Sequence, residues 1–149
     1  QLDEYIDRRI EEKSANKASA VVSSSETYQT NNSNENVSFD SIILGNAENK
    51  FILEDGKIKI GKGVKRIVVS AYVTAKSSVP YTGLAVFVNK NGETFSDGYC
   101  RAIDGKRINS VMSYPMAISV KEGDYLELVV SDWGEGGNFV NCCLVIYEL

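Results

Sequence analysis

The residues best suited to chemistry in this chain are gathered in one loop, Asp132-Trp-Gly-Glu-Gly-Gly-Asn138. Trp133 offers a flat apolar face, Asp132 and Glu135 offer carboxylates, and Asn138 offers an amide. The glycines let a ligand approach the backbone closely. One aromatic platform with a few polar partners suits a sugar. The competing reading is that Trp133 packs at a domain edge and the glycines only turn the chain. The carboxylates invite calcium, but their spacing is not that of an EF-hand, and no metal is expected. Tyr81 and Tyr99 add rings able to line a cleft between subunits; half-buried tyrosines at strand ends are the alternative.

Other chemistries are poorly supplied. The chain has no histidine, which removes the usual general base, the usual triad member and the commonest metal ligand. Cys100, Cys142 and Cys143 lack the spacing of a zinc site. Neighbouring strand residues point to opposite faces, so Cys142 and Cys143 are poorly placed to bond to each other. Three free, packed thiols made in a reducing cytoplasm are expected. No spacing of Asp and Glu singles out a glycosidase pair. The expectation is a protein without catalysis or cofactor, with a glycan hydrolase as a distant alternative. Sixteen Lys and Arg face twenty Asp and Glu, and the cluster Lys62, Lys65 and Arg66 reads as a solvated turn, so no nucleic acid partner is expected. No apolar run approaches the roughly 18 residues of a membrane span, so no membrane insertion is expected. Gln1 in place of methionine is expected of a piece of a longer polypeptide.

Three zones must position these residues. Residues 1–20 are charged and helix-prone, with Leu2, Ile6 and Ile10 four apart and acids preceding bases. So narrow a stripe cannot hold a lone helix, and fits the end of a coiled coil. A frayed helix end is the alternative. Residues 21–38, rich in Ser, Asn and Thr, read as a flexible polar linker. Residues 39–149 carry β signals throughout. Alternation is clean in Ile67, Val69, Ala71 and Val73, and in Leu84, Val86 and Val88. Asp55-Gly56, Asn91-Gly92, Asp97-Gly98, Asp104-Gly105 and Glu122-Gly123 read as turns. Short strands spaced this way predict an all-β antiparallel sandwich or jelly roll.

The last strand, Phe139–Glu148, is apolar on both faces. Val140, Cys142, Leu144 and Ile146 fall on one, and Cys143, Val145, Tyr147 and Leu149 on the other. Such a strand needs cover on both sides. One cover is the domain's core; the other is expected to be a second copy of the chain.

The ending "VKEGDYLELVVSD…GG…VNCCLVIYEL", behind a helical stalk, resembles the C1q/tumour-necrosis-factor-like jelly roll. In that family a Gly-Asp turn, here Gly123-Asp124, leads into the penultimate strand, and a hydrophobic last strand closes the chain. Gly56–Ala75 resembles the opening strands of such heads in bacteriophage fibres, and Glu4–Glu12 is similar to helices just upstream of heads in phage fibres. The resemblance implies a C1q/TNF-like head on a coiled-coil stalk, forming a homotrimer with last strands near the threefold axis. Interface candidates are then Leu2, Ile6 and Ile10 in the stalk and Val140, Cys142, Leu144, Ile146 and Tyr147 in the head. It also implies a place on a virion surface, as a capsid or tail fibre, and adhesion to a host-surface receptor or glycan without catalysis. A purely structural trimerisation cap is the alternative.

Overall fold

Alternating burial decides which runs become strands. The computed structural model describes residues 1–15, 17–45, 49–77, 83–101, 108–134 and 136–149, with side chains throughout except at 9–15, 44, 77, 108 and 109. A helix, α1 (Leu2–Ala15), precedes β1 (Ser19–Ser23), β2 (Tyr28–Thr30), β3 (Asn34–Asn36) and β4 (Ser41–Gly45). Then follow β5 (Phe51–Glu54), β6 (Lys57–Ile60), β7 (Arg66–Ser77), β8 (Gly83–Lys90) and β9 (Glu93–Arg101). The last four are β10 (Ile108–Met112), β11 (Met116–Ser119), β12 (Tyr125–Trp133) and β13 (Gly137–Glu148). Pro80 and Asp104-Gly105 lie outside the described residues.

Two antiparallel sheets result. Sheet A runs β10-β7-β13-β1-β4, with β11 also on β7 and β2 also on β13. Sheet B runs β5-β6-β12-β8-β9, with β3 also on β12. The chain passes between sheets from β7 to β8 and from β12 to β13, the crossing pattern of a jelly-roll sandwich. Asp55-Gly56 and Asn91-Gly92 close hairpins with positive φ at both residues, as type I′ turns require. Between the sheets lie Phe51, Ile58, Ile60, Ile67, Val69, Leu84, Leu126, Leu128, Phe139, Leu144 and Ile146, all at most 2% exposed. Full burial of each such side chain contributes about 1.5–3 kcal/mol.

Three expectations are corrected here. Residues 21–38 are not a linker: they contain most of β1 and all of β2 and β3, and put Val22, Tyr28 and Val37 in the core. The Tyr28 hydroxyl accepts the Ser38 N–H at 2.7 Å and bonds the Ser24 hydroxyl at 2.9 Å. The helix ends at Ala15, and Ser19 and Ala20 already belong to β1. Asp97-Gly98 is not a turn but the middle of β9. Gly98 sits where β9 crosses β10, and a Cβ there would overlap the Met112 carbonyl oxygen. Glycine marks close backbone approach as readily as it marks a turn.

The sandwich has two distinct ends. At one, Ala18 and Glu148 exchange backbone and side-chain bonds, so α1 joins beside the C-terminus. At the other, Trp133, Gly83 and Arg101 stand side by side across β12, β8 and β9. Eleven residue steps of β13 separate the ends, about 35 Å at the usual strand rise.

Candidate functional site

The end away from α1 carries an exposed aromatic pair. Trp133 is the last residue of β12, opposite Gly83, and Tyr99 on β9 is opposite Ala85. Alternation puts both rings on the outer face of sheet B. Their centroids are 4.8 Å apart with planes tilted by 50°, within the range where aromatic pairs attract. Both residues remain 55% exposed. Gly83 makes the pairing possible, because a Cβ there would lie 2.8 Å from Tyr99 Cε2 and 3.0 Å from Trp133 Cε3. The pair joins residues 34 apart in sequence, and only the β9-β8-β12 register brings them together.

The other candidates of this region divide. Asp132 is 2% exposed, and both its carboxylate oxygens accept the Asn32 N–H, at 2.9 and 3.1 Å. It anchors the β2–β3 turn and does not face a ligand. Asn138 lies on β13, opposite Gln29 and Lys76, on the outer side of sheet A, away from Trp133. Its Oδ1 is buried with no hydrogen-bond partner, as is Thr30 Oγ1. Tyr81 and Glu135 lie outside the described residues.

Further along the same outer face, Asn34, Phe87, Asn89, Thr94 and Val129 line a groove of about 230 Å³. Nothing in their sequence spacing announces it, since four strands contribute. The Thr94 hydroxyl donates to Asn89 Oδ1 at 2.6 Å, which fixes the amide. Nearer the end that α1 joins, Lys57 lies 4.5 Å above the Tyr125 ring and 3.7 Å from Glu127.

The interface candidates are sorted by a bulge. Pairing between β13 and β7 shifts between Val140 and Cys143, and Asn141 has φ 51°. An extra residue in one strand reverses which parity faces inward. Phe139 therefore points inward before the bulge, and Cys142, Leu144 and Ile146 after it. These three, assigned above to an interface, are fully buried in the chain's own core. Val140 stands on the opposite face, with Cys143, Val145 and Tyr147. That outer face of sheet A continues through Tyr72 and Met112, which pair across β7 and β10. Tyr72, Met112 and Tyr147 are 40%, 60% and 53% exposed. On α1, Leu2 and Ile6 are exposed, and the side chain of Ile10 lies outside the described residues.

All three cysteines are free. Burial, with the charge of Cys143 adding, pushes the Cys142 thiol up to about 12. Burial also raises Cys100 and Cys143. An activated thiol needs the opposite shift. Among the described residues no group of Cys, Asp and Glu is arranged to hold a metal ion, and no helix is long and apolar enough to cross a membrane.

Neither a protein-family model nor a curated protein sequence matches the chain. Solved structures do. Murine APRIL at pH 5.0 superposes with a TM-score of 0.66 at 11% identity, over 89% of this chain and 99% of that one. Eiger TNF from S. frugiperda gives 0.63 at 10% identity, over 88% and 91%. The fold is a C1q/TNF-like jelly roll. The globular domain of zebrafish complement 1qA gives 0.56 at 13% identity, over 88% of this chain and 94% of its own. At such identities the likeness concerns the fold, and the residues of this C1q/TNF-like jelly roll must carry any statement about its work.

Proposed function

We propose that this chain is the trimeric head of a bacteriophage fibre, displayed on the virion surface, and that it adheres to a glycan of a host or environmental surface without catalysis. The observation that carries this reading is the exposed Tyr99–Trp133 pair at the end away from the stalk helix. Rings left half in water on a rigid scaffold are suited to stack on the apolar face of a sugar. The fibre setting rests on the resemblance of Gly56–Ala75 and Glu4–Glu12 to phage fibre segments. Trimerisation is supported by the uncharged outer face of sheet A, around Tyr72, Met112, Val145 and Tyr147. Charge depletion with aromatics and Met is the composition of an interface core. Three heads on one stalk multiply a weak site by avidity.

Light scattering on residues 1–149 and 17–149 tests assembly, and a glycan array tests adhesion. A trimer in both, with array binding lost in Trp133→Ala, is the expected result. A monomer in both removes the trimer. A trimer that binds no glycan turns the reading toward a cap that only registers the fibre, which the same sheet A face also supports. Loss of particle assembly, rather than of adsorption, on deleting residues 17–149 would mark that second role.

A further inference from the structure

We infer that the groove between Phe87 and Asn89 on the outer face of sheet B is a second sugar subsite, continuous with the Tyr99–Trp133 pair, and that together they take an extended, uncharged oligosaccharide. This inference rests on the glycan-adhesion reading above and adds the ligand's length, its charge and the face it lies on.

The two features share one surface. Along β8, Gly83 beneath the rings and Phe87 and Asn89 in the groove alternate onto the same side. Six residue steps separate Gly83 from Asn89, about 20 Å of strand, room for roughly four pyranose rings end to end. Between them the outward residues of β8 and β12 are small. Ala85 is 1% and Ser131 6% exposed, covered by neighbours that include Tyr99 opposite Ala85, so neither side chain projects into the path of a ligand lying over this face.

The groove's chemistry is that of hydroxyl recognition. Phe87 supplies an aromatic flank. The Thr94 bond occupies Asn89 Oδ1, which leaves the Asn89 NH₂ as a donor held in place, while Thr94 keeps acceptor capacity. Asn34 adds a second amide from β3. None of the five lining residues is charged. The charges nearest the groove by register are Asp97 opposite Phe87, and Glu127 opposite Asn89 with Lys57 at 3.7 Å, while Arg101, opposite Gly83, is the cation beside the rings. A sialyl, sulfate or phosphate group lying in the groove would meet repulsion from Asp97. In the groove itself a neutral polyol meets donors, acceptors and an aromatic face.

The test uses the full chain on a printed series of neutral linear oligosaccharides of glucose, mannose, galactose and N-acetylglucosamine, from monosaccharide to hexasaccharide, beside sialylated and sulfated glycans. Affinity should rise with length to the tetrasaccharide and then level. Trp133→Ala should weaken every length about tenfold. Thr94→Val and Asn89→Ala should each weaken only the longer chains, by roughly three- to tenfold, a net hydrogen bond or so. Both groove positions are at the surface, and unchanged thermal midpoints would show that the variants fold. Binding that is equal for di- and tetrasaccharides and indifferent to both groove variants overturns the second subsite while leaving glycan adhesion standing. Binding confined to anionic glycans overturns it as well. Silence across the whole series overturns both readings.

Discussion

The two outer faces of this sandwich are built from the same alternating strands and are chemically unlike. Sheet A turns Tyr72, Met112, Cys143, Val145 and Tyr147 outward, with Ser and Thr between them and no charge in the central rows Val68–Thr74 and Cys143–Tyr147. Sheet B turns out Lys57 and Glu127 as an ion pair, then an amide-lined groove, then the Tyr99–Trp133 rings. Water tolerates the second face as it stands. The first is the kind of surface that another chain covers. Under the proposed function the difference would be a division of labour, with sheet A assembling the trimer and sheet B meeting the ligand.

The sharpest break of that comparison lies within β13. Leu144 and Ile146 are fully buried, whereas Val145 between them faces outward on sheet A. Leu144→Asp or Ile146→Asp places an unpaired carboxylate in the core, at a cost of about 3–5 kcal/mol, a large part of a domain's whole stability. Far-ultraviolet circular dichroism should show an unfolded or aggregated chain. Val145→Asp should leave the strand content intact and shift the light-scattering mass from trimer to monomer. Should Val145→Asp stay trimeric, the outer face of sheet A is not where copies meet.

Next in size is the crossing that closes the sandwich edge. Ser96 Oγ donates to the Tyr114 carbonyl, Ser113 Oγ accepts the Ala71 N–H at 2.7 Å, and Gly98 lies against the Met112 carbonyl. Gly98→Ala must push β10 away from β9. Urea unfolding should report a loss of about 2–3 kcal/mol, the upper range for overpacking. Gly83→Ala tests the other glycine, since its Cβ meets ring atoms free to swing into water. It should leave stability within about 0.5 kcal/mol, as surface changes usually do, while spoiling the ring pair. A Gly98→Ala protein as stable as the parent would mean that the turn expected from its sequence was the better reading.

Those glycines also show what the sequence could and could not reveal. The long strands were legible because Ile67–Val73 and Leu84–Val88 alternate without interruption, and the last strand because its end is so apolar. Gly98 was misread because a strand glycine and a turn glycine look alike without the Met112 carbonyl in view. Residues 21–38 were misread because their polar majority faces outward. Their cover comes from far away in sequence, as when Asp132 holds the Asn32 N–H. Val140 was put on the wrong face because Asn141 shifts the parity, and one positive-φ asparagine leaves no pattern of its own. At the site, Trp133 and Tyr99 were identifiable as types, but their contact belongs to strand register. Asp132 carried a ligand's chemistry in sequence and an anchor's geometry in the fold.

The smallest effect concerns the joint between α1 and the sandwich, at the end away from Trp133. Glu148 Oε1 lies 2.8 Å from Lys50 Nζ and accepts the Ala18 N–H at 2.9 Å. The side chain of Glu148 is 5% exposed. Burial alone would raise its pKa. The hydrogen bonds from Lys50 and Ala18, with the charges of Lys50 and Lys17, outweigh burial and hold it below the ordinary carboxylate value of 4.5. A carboxylate lowered on folding stabilises fully above its unfolded pKa and loses that contribution as pH falls through its folded one. The head should therefore keep its stability down to about pH 4.5 and weaken below it. Asp124, held low because hydrogen bonds and the charges of Lys90 and Lys121 outweigh its burial, adds in the same direction. Glu148→Gln should cost about 1–2 kcal/mol at neutral pH, the worth of charged hydrogen bonds lost at one site. It should also flatten the acid limb of the stability curve, leaving the part that belongs to Asp124. Because this joint lies at the far end from Trp133, glycan affinity per folded head should not change. A Glu148→Gln protein with an acid limb as steep as the parent's would show that the joint beside α1 does not carry the pH dependence.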